Sequence, residues 1–198
     1  MFECEGFILA GGASSRMGRD KARLQLGAET FVARIAHALQ AITSRVHIVS
    51  ARAEAEWFGL PVVADIYRDC GALGGLHAAL THCRAPWAAV VSCDLPFASG
   101  ALWQRLASFT GPECDAVVPF QTDGRAQPLC ALYARAACLP RAEALLQASE
   151  LRPRVLLSEV RSRRVEPAEL ADLAQADLLF LNVNTPADYE EAKLKARD

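Results

Sequence analysis

Apolar runs of strand length alternate along this chain with stretches in which apolar residues recur at helical spacing. The first run, Gly6-Phe7-Ile8-Leu9-Ala10, precedes a helical pattern from Thr30 to Ala41 carrying Phe31, Ile35, Ala38 and Leu39. Val46 to Ser50 and Pro61 to Ala64 predict the next two strands, with a short helix between them around Ala53 to Phe58. Gly74 to Cys83 predicts a helix, Trp87 to Ser92 a fully apolar strand, Ser99 to Phe109 a helix and Ala116 to Pro119 a strand. Such alternation predicts an α/β architecture, a mostly parallel sheet covered by helices on both faces to give three α/β/α layers.

The second half is less regular. Gln121-Thr122-Asp123-Gly124-Arg125 is a turn-forming loop before Leu129 to Tyr133, and predicts a hairpin that adds an antiparallel strand. Helices follow over Ala134 to Ser149 and Val155 to Val160, then a strand at Leu178 to Leu181 and a closing helix from Ala187 to Arg197. No linker, repeat or low-complexity tract interrupts the 198 residues, so a single domain over 1–198 is expected.

Composition narrows the function. With 52% hydrophobic residues, 22% charged and a net charge of -2, the chain reads as a folded globular protein with no bulk charge to attract nucleic acid. Glu3 and Glu5 precede a short apolar strand without the basic flank of a signal peptide, and no uninterrupted apolar window approaches the roughly 18 residues of a membrane span. A cytoplasmic protein without membrane association is expected. The seven cysteines form no CxxC pair and no zinc-type spacing, and are expected to be reduced, several as small core residues.

In an open parallel sheet, ligands bind in the crevice beyond the carboxyl ends of the strands. The segments that leave apolar strands there are Gly11 to Lys21, Ser50, Asp65 and Cys93-Asp94. The first contains small residues and then Arg16, Arg19 and Lys21. Glycine lets backbone N–H groups approach phosphate oxygens, and the cations neutralise charge that amides cannot, so this loop outlines a triphosphate cradle. It is neither GxGxxG nor GxxxxGK[ST]. Asp94 ends an apolar strand where a carboxylate could hold Mg²⁺ against phosphate, although an aspartate there could also simply cap the following turn. Asp65 likewise follows a strand, where it could contact a ligand or simply form the turn. Asn182 and Asn184 alternate with Val183, which places both amides on one face of the expected strand, and helix capping before Pro186 explains only one of them. Arg152 and Arg154 begin the most basic stretch, continued by Arg161, Arg163 and Arg164; such a run is usually a solvated face, and only the first two are favoured as phosphate ligands. None of the four histidines stands in a nucleophile motif, so no catalytic histidine is assigned.

The string LAGGASSRMGRDKARL resembles the signature of the nucleotidyltransferases related to sugar-phosphate pyrophosphorylases, and is closest to the molybdenum cofactor guanylyltransferase, or MobA-type, family. The similarity continues through Asp65, Gly71-Ala72-Leu73-Gly74-Gly75-Leu76, Cys93-Asp94-Leu95-Pro96, Arg125-Ala126-Gln127-Pro128 and Asn182-Val183-Asn184-Thr185-Pro186, which is essentially the whole chain. One departure is Ala72, where the family commonly has proline.

The resemblance implies a Rossmann-like nucleotidyltransferase fold with a nucleotide-binding half over about 1–110 and an acceptor-binding half over about 111–198. It implies transfer of GMP from GTP to the phosphate of molybdenum-molybdopterin with Mg²⁺ as cofactor, and leaves room for transient contact with proteins that deliver or accept the cofactor. GTP would be held by Leu9, Ala10, Gly11, Gly12, Lys21, Ser50, Asp65 and Asp94, with Asp94 holding the metal and Arg16 and Lys21 taking up leaving-group charge. Ser50 stands where the family often has asparagine. Gln127, Arg152, Arg154, Asn182 and Asn184 would serve the acceptor; Arg152 resembles an arginine near the pterin, and in the wider superfamily a residue of the Asn182 to Asn184 segment helps hold the metal. Two rivals stay open. A cytidylyltransferase for the same cofactor, or a transferase for another phosphorylated acceptor, is the nearer one, and Gly12 weighs against cytidine because cytidine-specific relatives usually read LAAG. The other is a non-catalytic nucleotide-binding regulator, against which Lys21 and Asp94 stand together.

Overall fold

The computed structural model describes residues 2–10, 21–51, 56–67 and 69–196. In chain order these form β1 (Cys4–Leu9), β2 (Gln25–Leu26), β3 (Glu29–Thr30), α1 (Phe31–Leu39), β4 (Val46–Ser50), β5 (Glu56–Trp57), β6 (Leu60–Ala64) and α2 (Gly71–His82). Then come β7 (Trp87–Ser92), α3 (Gly100–Ser108), β8 (Ala116–Pro119), β9 (Cys130–Ala134), α4 (Arg135–Gln147), α5 (Pro153–Glu159), β10 (Ser162–Val165) and α6 (Pro186–Lys195).

Eight of the described strands build one sheet in the order β10-β8-β9-β7-β1-β4-β6-β5, and β2 pairs with β3 in a small separate hairpin. Strand β1 is central, parallel to β7 on one side and to β4 on the other. The chain therefore winds outward from β1 in both directions, which opens a crevice at the carboxyl edge beside β1. As expected, β9 runs antiparallel between β7 and β8. The result is a mostly parallel sheet with helices on both faces.

Period-2 alternation in the strands divides the core between the two faces. Ile8 packs with Val32, Ile35, Leu102 and Trp103 beneath α1 and α3, whereas Phe7 and Leu9 pack with Leu73, Leu76, Leu146 and Leu156 beneath α2, α4 and α5. A third cluster joins the β2–β3 hairpin to α6 through Leu26, Phe31, Val183 and Ala192. Leu132 of β9 is fully buried, opposite Ala89 and Val117. Leu132→Ala should lower stability by about 2–5 kcal/mol through lost burial and an unfilled cavity. In urea the midpoint should fall with the slope unchanged; an unmoved midpoint would show that this site is not tightly packed.

Two expected elements differ. The helix expected around Ala53 to Phe58 is not formed by its described part: Glu56–Trp57 is a strand, antiparallel to β6, while residues 52–55 lie outside the described residues. Phe58 and Gly59 both take positive φ, at 55° and 72°, the two-residue turn that joins twisted antiparallel strands. The strand expected at Leu178 to Leu181 is instead a run of turns, closed by Leu178 N–H to the Gln175 carbonyl and Leu181 N–H to the Leu178 carbonyl at 2.9 Å each. Its apolar side chains are still buried, since Leu179 and Phe180 enter the α1–α3 layer and Leu178 the α6 cluster. Burial needs apolar surface but not a strand. Conversely, β10 falls within the basic run and pairs in parallel with β8 at the sheet edge.

Candidate active site

Asp94 is fixed by the turn that ends β7. The Cys93 N–H donates to the Leu9 carbonyl at 3.1 Å and the Leu95 N–H to the Ser92 carbonyl at 3.2 Å, so the aspartate sits at the carboxyl edge beside the end of β1. Its Oδ1 is buried with no hydrogen-bond partner among the described residues. The Val183 N–H donates to the Asp94 carbonyl at 2.9 Å and brings the segment before α6 onto this turn. There Asn184 Oδ1 accepts from Lys21 Nζ at 2.6 Å. Asn184 is itself held by its N–H to Asp188 Oδ2 at 2.8 Å, within the Thr185–Asp188 capping box of α6. Lys21, Asp94 and Asn184, far apart in sequence, thus form one cluster.

On the far side of β1, Ser50 is buried at the end of β4 and is paired in register with Ala64, the last residue of β6. Asp65 follows directly. Its Oδ1 is buried without a partner among the described residues, and burial pushes its carboxyl up, partly offset by the Tyr67 backbone N–H and nearby His77. His77 of α2 is buried, which pushes its imidazole down; its ring meets Tyr67 edge-on at 4.9 Å. The approach is close enough that a Cβ on Gly74 would lie 3.0 Å from the Tyr67 carbonyl and 3.6 Å from Asp65 Oδ1. Helix α2 begins at Gly71, so Ala72 lies in its first turn and the helix starts there without the family's proline. Leu9 is buried, and Ala10 donates its N–H to the Val49 carbonyl at 3.0 Å. Gly11, Gly12 and Arg16 lie outside the described residues.

A cavity of about 980 Å³ opens beyond β8, β9 and β10. Arg152 and Arg154 line it, and so do Arg125 and Arg164, which the sequence reading did not assign. Three of these guanidiniums have acidic partners: Arg125 with Asp123, Arg152 with Glu150 and Arg164 with Glu166. Arg152 donates from Nε at 2.7 Å and holds the Glu150 carboxyl down at about 2. Arg154 forms no ion pair among the described residues. Arg164 also lies 3.7 Å over the Phe120 ring, and Leu151, 40% exposed, supplies part of the apolar wall.

The acceptor residues expected from the sequence therefore separate. Arg152 and Arg154 share this cavity, whereas Asn184 belongs to the Lys21–Asp94 cluster. Asn182 is exposed, and among the described residues its amide reaches the Phe180 carbonyl, at 3.5 Å. The two asparagines do not present one shared face, because the strand that would have aligned them is absent. Gln127 Nε2 donates to Gln121 Oε1 at 2.7 Å and its N–H to the Pro119 carbonyl, which closes the 121–127 loop at the cavity's edge. Among the described residues no helix is long and apolar enough to cross a membrane.

Residues 6–165 match the family described as MobA-like NTP transferase domain, from within β1 to the end of β10. A protein from Pelotomaculum thermopropionicum named "Probable molybdenum cofactor guanylyltransferase" is 35% identical over 200 residues, covering 100% of this chain and 96% of its own. One of the same name from Flavobacterium johnsoniae is 32% identical, with 95% of each chain covered. Among solved structures, molybdopterin-guanine dinucleotide biosynthesis protein A from Archaeoglobus fulgidus superposes with a TM-score of 0.82 at 21% identity, covering 98% of each chain. The 2-C-methyl-D-erythritol 4-phosphate cytidylyltransferase of Thermus thermophilus superposes at 0.70 and 19% identity over the whole of both chains, a likeness of fold alone. With the family match spanning the sheet and full-length relatives at about a third identity, this chain is a nucleotidyltransferase and belongs to the MobA-like NTP transferase domain family.

Proposed function

We propose that the chain transfers GMP from GTP to the phosphate of molybdenum-molybdopterin, releasing pyrophosphate. The observation that carries this reading is the division of the carboxyl edge: Ser50 and Asp65 lie to one side of β1, the arginine-lined cavity to the other, and Asp94 between them. GTP is placed over β1, β4 and β6, against Leu9, Ala10, Ser50 and Asp65, with Gly11 and Gly12, next in the sequence, assigned to it as well. The acceptor phosphate is placed toward Arg152 and Arg154, on the opposite side of the α-phosphorus.

In that arrangement an acceptor phosphate oxygen attacks the α-phosphorus in line, and the bond to the pyrophosphate oxygen breaks. A phosphate is already ionised at neutral pH, so no strong general base is needed. Lys21, held by Asn184, and Arg16 neutralise charge growing on the leaving group. The buried, unpartnered Oδ1 of Asp94 fits a hard cation. Mg²⁺ is commonly held by one or two carboxylates, with water and phosphate oxygens completing its shell, so a single aspartate would suffice. When bound there, Mg²⁺ supplies charge stabilisation for the phosphates. The catalytic contribution of the chain is otherwise positioning.

The nucleotide is tested by thermal shift with GTP, CTP, UTP, ATP and TTP in the presence of Mg²⁺. GTP should stabilise most, by about 2.7 kcal/mol at a hundredfold excess over its dissociation constant. A larger shift with CTP would replace guanylyl by cytidylyl transfer on the same fold. Pyrophosphate release that requires both GTP and molybdopterin is the expected activity; binding without any release would instead identify a regulator.

A further inference from the structure

We propose that His77 is a positioning residue for the nucleotide: it acts through Asp65, fixing the inner side of the carboxylate whose outer side takes a donor N–H or O–H of the nucleotide. This rests on the reading above that Asp65 faces GTP. Asp65 as a residue is half-buried, but its Oδ1 is fully buried and has no hydrogen-bond partner among the described residues. The carboxylate therefore has an inner oxygen turned into the protein, while the residue keeps an open side at the carboxyl end of β6.

Helix α2 covers that inner side. A Cβ on Gly74 would lie 3.6 Å from Asp65 Oδ1 and 3.0 Å from the Tyr67 carbonyl, so the helix and the Asp65–Tyr67 loop approach each other closely there. His77 stands one turn further along the same face of α2, and its ring meets Tyr67 edge-on at 4.9 Å. It is 4% exposed, and its Nδ1 is buried without a partner among the described residues. The layer between α2 and the sheet is otherwise apolar, built from Val49, Val63, Leu73 and Leu76. In such surroundings a carboxylate oxygen left alone is costly, and its attraction to a neighbouring imidazole is strong.

The charges around the pair agree with the geometry. Burial pushes the Asp65 carboxyl up, the Tyr67 backbone N–H and His77 pull it back, and Asp69 adds to the rise. Burial pushes the His77 imidazole down, against Glu143 of α4 and Asp65, which favour its charged form. Glu143 and Asp69 are both exposed, so water and salt screen them, and Asp65 is the inner partner. As pH falls, the pair takes its first proton on the imidazole, and the ion pair that results keeps the carboxylate charged. Phenylalanine at position 77 removes that recipient, and the proton goes to Asp65 instead. A protonated Asp65 loses the charge that strengthens its hydrogen bond from the nucleotide.

The test is calorimetric titration of the whole chain with GTP between about pH 5.5 and 8, for wild type, Asp65→Asn, His77→Phe, His77→Gln and the double variant Asp65→Asn/His77→Phe. His77→Phe should bind GTP roughly tenfold more weakly than wild type near about pH 6 and almost equally near about pH 8. In steady-state assays the loss should appear in KM for GTP and not in kcat. His77→Gln keeps a polar side chain but cannot take the proton, so it should show the same acid loss, and it guards against a misfolded phenylalanine variant. Ionisation of the GTP phosphates affects every variant alike. In the Asp65→Asn background, His77→Phe should add nothing, which a merely structural histidine would not produce. An acid profile matching wild type in both His77 variants, or losses that multiply in the double variant, overturns the proposal. A weakened Asp65→Asn beside unaffected His77 variants sinks the His77 inference alone. If Asp65→Asn itself leaves GTP affinity unchanged, the placement of GTP against Asp65 falls and this inference falls with it.

Discussion

Asp94→Asn should reduce pyrophosphate release by roughly a hundredfold or more at every Mg²⁺ concentration, while GTP binding without metal is retained. The exchange keeps the side chain's shape, and the backbone bonds that fix its position do not involve the carboxylate: Val183 N–H to the Asp94 carbonyl, and the flanking Cys93 and Leu95 amides. What is lost is the negative charge on a group whose Oδ1 is buried and unpartnered among the described residues. If the aspartate only shaped the turn, asparagine would serve as well, and release would stay near wild type at saturating Mg²⁺. That result would remove the metal from this residue. Far-ultraviolet circular dichroism and the urea midpoint should be close to wild type in either case, which separates lost chemistry from lost fold.

The carboxyl-edge position of Asp94 was legible in the sequence because an apolar strand of six residues announces where its own end must be. The same reasoning located Ser50 and Asp65. The antiparallel insertion of β9 was legible from the Gln121 to Arg125 turn. What the sequence could not show were arrangements made by packing between distant segments. Asn184 reaches Lys21 only because the chain after β10 returns across the Asp94 turn, and Asn182 does not share a strand face with it because Leu178 to Leu181 is buried as turns.

Arg163 and Arg164 hid a strand for a related reason. A run of arginines reads as solvated surface, yet at a sheet edge their guanidiniums lie over aromatic rings, Arg163 over Phe109 at 4.6 Å and Arg164 over Phe120 at 3.7 Å. Once β10 is paired with β8, Arg164 faces the same cavity as Arg152 and Arg154. Ser162-Arg163-Arg164-Val165 holds a single apolar residue and shows no two-residue alternation, so the sequence offered no periodic signal for this strand.

The division of the crevice makes the two arginines and Lys21 separable by experiment. Arg152→Ala should weaken molybdopterin binding by roughly ten- to a hundredfold, the scale of one charge-assisted hydrogen bond, with GTP affinity nearly unchanged. Its cause is double. The substitution removes a cation from the cavity and also releases Glu150, whose carboxylate is now bound by that guanidinium through two side-chain hydrogen bonds and accepts the Arg152 N–H at 2.9 Å. A free carboxylate at the mouth of a phosphate site repels the acceptor, so Glu150→Gln in the Arg152→Ala background should recover part of the loss. Arg154→Ala leaves no such stranded partner, and its effect should come from the missing cation alone. Lys21→Ala should do the reverse of Arg152→Ala, weakening GTP and sparing the pterin, because its Nζ is held at Asn184 beside Asp94 and not in the arginine cavity. The measurement is a titration of each variant with GTP and with molybdopterin in a single buffer, since exposed charges are screened by salt. Should Arg152→Ala lose GTP and keep the pterin, or Glu150→Gln fail to restore any acceptor affinity, the acceptor does not lie against this guanidinium.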